Sequence, residues 1–187
     1  MKTSKLLIVV ISVLVLQDAR SQTLPIEIKA LLDQRYPQWQ FTIYHRDPHI
    51  DSSESFVLMP DAGNFLECNL NLDSIPDYAL AITAPRQSHI MEFFLAAIFQ
   101  KGSYHLYGID SSRGCCAFQM RLNPAHTDVF ILGDYDNEIV KYGLLDKDEN
   151  TIKFPTDTIN LMPLYEKNSD VSYVFINGKF YSILSAD

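Results

Sequence analysis

Residues 64–82 read NFLECNLNLDSIPDYALAI and predict a strand, a tight loop rich in oxygen-bearing side chains, and a second strand. Apolar residues dominate both flanks, as expected for strands that face a core. Four side chains of the loop share the ligand spacing of a calcium-binding loop. They occupy relative positions one, three, five and nine and are Asn69, Asn71, Asp73 and Asp77.

The same loop departs from the calcium pattern at two positions. Position six is Ser74, where such loops need a glycine for a sharp bend, and position twelve is Leu80 instead of a bidentate glutamate. Pro76 and Asn71 are equally typical of a metal-free β-turn. The sequence therefore predicts a structural turn first and a calcium site of low affinity second. It predicts no other cofactor.

The N-terminal residues 1–21 have the pattern of a secretory signal peptide. Lys2 and Lys5 form a basic start, residues 6–16 are apolar but too few to span a bilayer, and Ala19 and Ser21 flank a cleavage pattern. We therefore expect export to the periplasm or the medium, with residues 22–187 as the mature chain and no membrane attachment.

Charge limits the classes of partner. The whole chain has a net charge of −8, and removal of the signal with its three basic residues and one acidic residue would make it −10. The sequence has no lysine or arginine cluster, so a nucleic-acid surface is not expected. We expect a monomer whose partner is a protein of the cell envelope or the medium.

The three cysteines could either include one disulfide or all remain thiols. Cys68, Cys115 and Cys116 would reach an oxidising compartment after export, and an odd number leaves at least one thiol free. Adjacent cysteines rarely bond to each other because the ring is strained. Cys68 could therefore pair with Cys115 or Cys116, or all three could be buried thiols.

The pattern of the remaining chain predicts one helix followed by many strands. Residues 24–36 have a helical apolar period that Pro37 ends, and residues 39–44 alternate as a strand. Residues 89–100 are almost continuously apolar, which favours a buried strand over a buried helix because a turn follows. Further strands are predicted at 104–109, 115–122 and 128–132, a hairpin-like pair at 138–145 and 151–154, an edge-like piece at 156–161, and a hairpin over 171–184.

These elements predict a single α+β domain over residues 22–187, with the N-terminal helix packed on a mainly antiparallel, meandering sheet. No zinc pattern, nucleophile elbow, phosphate-binding loop or dinucleotide fingerprint occurs in the sequence. The best candidate for a catalytic pair would combine one cysteine, Cys115 or Cys116, with one histidine, His105 or His126. No catalytic residue is therefore predicted.

Three short motifs together resemble a family of exported bacterial proteins of unknown function. They are a Pro37-x-Trp39-x-Phe41 entry after the helix, the loop from Asn69 to Ala79, which is similar to D-F-N-G-D-G-x-x-D-Y-A, and a C-terminal run over 154–187. The loop of that family also resembles integrin-type propeller repeats, but one copy argues against a propeller. The sequence favours an exported, non-enzymatic binding or interaction module, with a secreted hydrolase of dispersed active site as the alternative.

Overall fold

The chain is mostly antiparallel β-sheet. The computed structural model describes residues 24–44, 61–113, 118–132, 136–148, 150–164 and 170–186. Of these residues, 56% lie in strands and 12% in two small helices. The predicted α+β class, a helix packed on one meandering sheet, is therefore wrong.

Five strands form the first sheet. They are β1 (Gln40–Phe41), β2 (Phe65–Cys68), β3 (Asp77–Arg86), β4 (His89–Gln100) and β5 (Ser103–Arg113). The order is β1-β3-β4-β5, and β2 lies beside β1 on the same edge of β3. All pairs are antiparallel, so the strands flanking the loop at 69–76 are direct neighbours.

Seven strands form the second sheet. They are β6 (Phe118–Asn123), β7 (Asp128–Ile131), β8 (Leu144–Asp146), β9 (Thr151–Lys153), β10 (Thr158–Pro163), β11 (Asp170–Ile176) and β12 (Lys179–Ala186). Their order is β6-β10-β11-β12-β7-β9-β8, again antiparallel throughout. The predicted edge-like piece at 156–161 is therefore β10, an interior strand between β6 and β11.

The main core lies between the two sheets. Phe94, Ala96 and Ile98 of β4 contribute to it from the first sheet, and Leu161 and Phe175 from the second. Along a strand the side chains alternate between the two faces, so the intervening residues of β4 point to the other side of the first sheet. β4 is thus buried on both faces, which explains its continuous apolar sequence and confirms the predicted strand.

One charged residue lies inside that strand. Glu92 is fully buried on the face that carries Phe94. The Ser112 hydroxyl of β5 donates a hydrogen bond to Glu92 Oε2 at 3.2 Å. A buried carboxylate needs such donors to offset the loss of water.

Two short helices lie against the outer surfaces of the sheets. α1 (Ile26–Arg35) buries Ile28 and Leu32 in a cluster with outward residues of β3 and β4. α2 (Asn137–Tyr142) buries Ile139 in a cluster with β7, β9, β11 and β12. No helix in the described part of the chain is long and apolar enough to cross a membrane.

The predicted strand at 138–145 is wrong in its first half. Residues 137–142 form α2, because Asp136 caps it by accepting a hydrogen bond from the Glu138 N–H at 2.9 Å. Lys141 and Glu138 add an ion pair at 2.6 Å, and Ile139 supplies the single buried anchor. The pairing of the second half with 151–153, as β8 with β9, is confirmed.

Candidate functional site

The loop between β2 and β3 is anchored in the core by one apolar side chain. Leu70 is fully buried in the cluster between the sheets. Leu72, two residues later, is exposed and adopts a positive φ of 63°. The chain therefore turns sharply next to the buried Leu70, and the neighbouring polar side chains lie close to the loop backbone.

Three of those side chains accept hydrogen bonds from the loop's own backbone. Asn69 Oδ1 accepts from Leu72 N at 3.1 Å, and Asn71 Oδ1 accepts from Asp73 N at 3.1 Å. Asp73 Oδ1 accepts from Ile75 N at 2.9 Å. Asparagine and aspartate stabilise turns in this way because their short side chains reach the amide two or three residues onward. Three of the loop amides thus have their acceptors within the loop itself.

The side-chain amides of the loop complete the network. Asn69 Nδ2 donates to the Asp73 carbonyl at 3.0 Å, within the loop. Asn71 Nδ2 donates to Asp73 Oδ2 and to the Phe99 carbonyl, both at 2.9 Å. The second of these bonds ties the loop to the end of β4. The two asparagines therefore act as structural cross-links.

Asp77 has a different environment from the other three predicted ligands. It is fully buried, and its two carboxylate oxygens accept backbone N–H groups from Leu70 at 2.9 Å and Phe99 at 3.0 Å. Burial raises the pKa of Asp77 to about 6, and the charge of Asp73 adds to the rise, while the two amide hydrogen bonds oppose it. Asp77 thus holds the loop against β4 from the inside.

A fifth polar residue, which the sequence pattern did not indicate, connects the loop to the second sheet. Asp157 Oδ2 accepts from Asn69 N at 2.8 Å, and Asp157 Oδ1 accepts from Ala125 N at 2.9 Å. The Asp157 N–H in turn donates to the Asn69 carbonyl at 3.0 Å. Asp157 is 88 residues from Asn69 in sequence, so no local spacing could reveal the contact.

Only two of the four predicted calcium ligands, Asn69 and Asp73, line a surface cleft. A cleft of about 310 Å³ beside the loop is lined by Asn69, Asp73 and Asp157 among others, but not by Asp77. Within the described residues, no group of three or more histidine, cysteine, aspartate or glutamate side chains could hold a metal ion. The geometry supports a structural turn, and the calcium site stays a prediction.

Cys68 ends β2 next to this network. Its side chain is buried and forms no disulfide with any described residue; burial raises the pKa of the thiol, with the nearby charges of Asp77 and Asp157 adding to the rise. A thiol that resists ionisation is a poor nucleophile. Cys115 and Cys116 lie outside the described residues, so the predicted disulfide stays a prediction.

The described residues contain one contact between a hydroxyl and an imidazole. Ser103 Oγ lies 3.3 Å from His105 Nε2, and both residues are exposed at the start of β5. Within the described chain, no carboxylate contacts the other ring nitrogen, which a catalytic triad would need. His126 lies in the turn before β7 of the second sheet, and its backbone N–H donates to the Phe154 carbonyl at 2.7 Å.

The second sheet extends beyond the first and exposes apolar side chains. Phe130 and Leu132 alternate with the buried Val129 and Ile131, which face α2. Leu184 lies on the same face of β12 as Phe180, and Phe180 packs against the core between the sheets. Leu132 is next to Leu184 on the neighbouring strand, since Leu132 N donates to the Leu184 carbonyl at 3.0 Å. We call this continuation of the inner surface, carried by β12, β7, β9 and β8, the open face.

The open face also carries charged residues and a cleft. The strand registers place Asp128, Lys153 and Leu144 in one row across β7, β9 and β8. Lys153 Nζ lies 3.3 Å from Asp128 Oδ1. A cleft of about 410 Å³ at this end of the sheet is lined by these residues and by the acidic turn from Asp146 to Asp148.

No family model, curated protein or solved structure matches this chain. The resemblance to exported bacterial proteins stays a prediction, as does the signal at residues 1–21, which lie outside the described residues.

Proposed function

We propose that the protein is a non-enzymatic binding module that holds a basic protein partner on the open face. The observation that carries this proposal is the exposure of three clustered apolar side chains. Phe130 and Leu132 are each 49% exposed, and Leu184 is 46% exposed. Exposed apolar clusters of this kind typically mark sites where proteins associate.

The other sheet surfaces contrast with the open face. The inner surfaces of both sheets pack together over β6, β10 and β11, and the outer surfaces carry clusters that include α1 or α2. An antiparallel sheet that exposes one side to water normally places polar residues there. The run from Val129 to Leu132 is apolar on both sides of β7, so an apolar surface of a partner would remove Phe130 and Leu132 from water.

Charge argues for a basic partner. The chain carries 23 acidic and 15 basic residues. At the rim of the open face, Asp146, Lys147 and Asp148 border the cleft beside Leu144. A negative surface accelerates encounter with a positively charged partner and disfavours acidic ones. The predicted export signal would place this encounter in the cell envelope or the medium.

The hydrolase alternative gains no support from a specific observation. The Ser103–His105 contact has no orienting carboxylate among the described residues. Cys68 is buried with a raised thiol pKa. A nucleophile and a base that converge in a cleft would be needed for that alternative.

The test is affinity capture of partners with matched variants. Leu132→Ser and Leu184→Ser remove apolar contact area from the open face, whereas Ile90→Ser makes the same kind of change at a residue 59% exposed on the first sheet. We expect one basic protein from the envelope or medium to bind wild type and Ile90→Ser, with at least about tenfold weaker binding to the other two variants.

Circular dichroism must show that all three variants keep the wild-type fold. Binding of the captured protein should weaken with salt, because charge attraction between exposed groups is screened. The proposal fails if no captured protein distinguishes Leu132→Ser from Ile90→Ser, or if the protein that does so is acidic.

A further inference from the structure

One polar side chain of the open face is buried without a hydrogen-bond partner in the described part of the chain. Thr151 of β9 is 1% exposed, and its hydroxyl oxygen forms no hydrogen bond there. Ile152 packs toward α2, so the alternation of side chains along β9 places Thr151 on the open face, opposite Phe130 of β7. Thr151 also lines the cleft of about 410 Å³ at this end of the sheet. Buried hydroxyls are normally paired, because an unpaired one costs free energy, so a bound group could satisfy this oxygen.

A carboxylate lies directly beside this hydroxyl. The strand register places Asp146 of β8 opposite Thr151, on the same face of the sheet. Side chains opposite one another in antiparallel strands have Cβ atoms about 4.5–5.5 Å apart, so one small group can contact both. Asp146 is exposed, and its Oδ1 accepts the Asp148 N–H at 3.0 Å, which orients the carboxylate and keeps its negative charge. Two carboxylate oxygens offer about four acceptor positions, more than this backbone contact uses.

A lysine on the same strand as Thr151 is held on the far side of β9. Lys153 is the next open-face residue of β9, and its Nζ lies 3.3 Å from Asp128 Oδ1 on β7. β7 and β8 flank β9 on opposite sides, so this ion pair directs the ammonium away from Asp146. Lys147, the other lysine of the cleft, is exposed in the turn that follows β8.

We propose that Asp146, Thr151 and Leu144 form a subsite that binds an arginine side chain of the partner. A guanidinium presents several N–H donors in one plane, so it can bond the carboxylate and the hydroxyl together, with charge assistance at the carboxylate. Leu144, two residues before Asp146 on the same face, is 76% exposed and offers apolar surface to the aliphatic stem of arginine. This inference rests on the proposed function, because it names the side chain by which the open face recognises a basic partner.

The first test is an NMR titration of the ¹⁵N-labelled protein at low salt with three probes. Nα-acetyl-arginine amide carries the guanidinium, Nα-acetyl-citrulline amide has the same shape without the charge, and Nα-acetyl-lysine amide has the charge without the planar donors. We expect saturable shifts at millimolar arginine probe, largest at the amides of Asp146 and Thr151. The citrulline probe should bind at least about tenfold more weakly, and the lysine probe at least about threefold more weakly.

The second test uses variants of the subsite and a matched control. Asp146→Asn keeps an acceptor for the Asp148 N–H but removes the charge, so it should weaken binding of the arginine probe at least about tenfold. Glu67→Gln, which removes an exposed carboxylate from the first sheet, should leave binding unchanged.

The hydroxyl of Thr151 has its own variant. Thr151→Val keeps the β-branched shape and should weaken binding of the arginine probe at least about threefold, because one hydrogen bond is lost. The same change should raise the melting temperature of the free protein, since a buried hydroxyl without a partner is removed. A purely structural role of Thr151 would not move binding and stability in opposite directions.

The proposal is overturned if the arginine probe does not bind, if another probe binds as tightly, if Thr151→Val binds as wild type does, or if Asp146→Asn and Glu67→Gln respond equally. Failure of the proposed function gives a different result. The arginine probe would still bind at Asp146, but no captured basic protein would distinguish Leu132→Ser from Ile90→Ser.

Discussion

Replacement of Asp77 by asparagine should change how stability depends on pH. The Asp77 carboxylate is fully buried and accepts two backbone amides, from Leu70 and Phe99. Asparagine keeps the shape but has only one oxygen, so its NH₂ group would face one of those N–H donors. A buried donor left without an acceptor costs about 1–3 kcal/mol, at any pH.

The pH-dependent part follows from the pKa of Asp77. Burial raises this pKa from 3.8 to about 6 in the folded protein. The folded state therefore binds more protons than the unfolded state between these values. The resulting stabilisation is fully present below pH 3.8 and is lost as the pH rises through about 6. A rise of about two pKa units corresponds to roughly 3 kcal/mol.

Urea unfolding at about pH 4 and about pH 7.5 measures the effect. We expect the free energy of unfolding of wild type, relative to Asp77→Asn, to fall by about 2 kcal/mol between the two conditions, since part of the full effect is already lost at pH 4. Asp148→Asn removes an exposed carboxylate, so wild type relative to this variant should differ little at either pH. If the difference in free energy of unfolding between wild type and Asp77→Asn were the same at both pH values, the assigned environment of Asp77 would be refuted.

Three further outcomes are expected. Leu70→Ala should lower the free energy of unfolding by about 2–5 kcal/mol, because it removes a fully buried anchor; a loss below 1 kcal/mol in urea unfolding would contradict that role. Mass mapping of non-reduced, exported protein should find one disulfide from Cys68 to Cys115 or Cys116, whereas three alkylatable thiols in the unfolded protein would rule it out. The intact mass of protein exported by the native host should correspond to an N-terminus at Gln22, within a residue or two, and full-length protein confined to the cytosol would disprove cleavage.

Local signals in the sequence predicted the individual strands well. The Asn177-Gly178 pair predicts a tight hairpin, and the two residues adopt positive φ values of 50° and 89° between β11 and β12. The continuous apolar run at 89–100 predicts a strand buried on both faces, which β4 is.

The fold class could not be read in the same way. Alternation along a strand shows that one side is buried but not whether a helix or another sheet covers it. The helix at 24–36 suggested an α+β arrangement, whereas the larger core lies between two sheets. Residues 137–142 give little sequence signal for a helix, because a six-residue helix with a single buried residue has almost no apolar period.

For the candidate sites too, contacts between residues close in sequence could be predicted and contacts between distant residues could not. The spacing of Asn69, Asn71 and Asp73 correctly indicated a polar turn, because those contacts span two to four residues. The contacts of Asn71 with Phe99 and of Asn69 with Asp157 join residues 28 and 88 positions apart. The open face likewise depends on which strands become neighbours, and the spacing of residues in the sequence does not specify that.

The response to calcium tests most directly whether the loop at 69–76 is a structural turn held by its own hydrogen bonds. We predict one melting temperature for wild type in EDTA and in several millimolar calcium, because the side-chain oxygens already accept hydrogen bonds and Asp77 is buried. Asp73→Ala should melt at a lower temperature in both media, since Ile75 N and Asn71 Nδ2 lose an acceptor. A ligand that binds only the native state raises its stability by mass action. A calcium-dependent rise in wild type that disappears in Asp73→Ala, but persists in the matched Asp148→Ala control, would contradict the structural turn and establish a metal site.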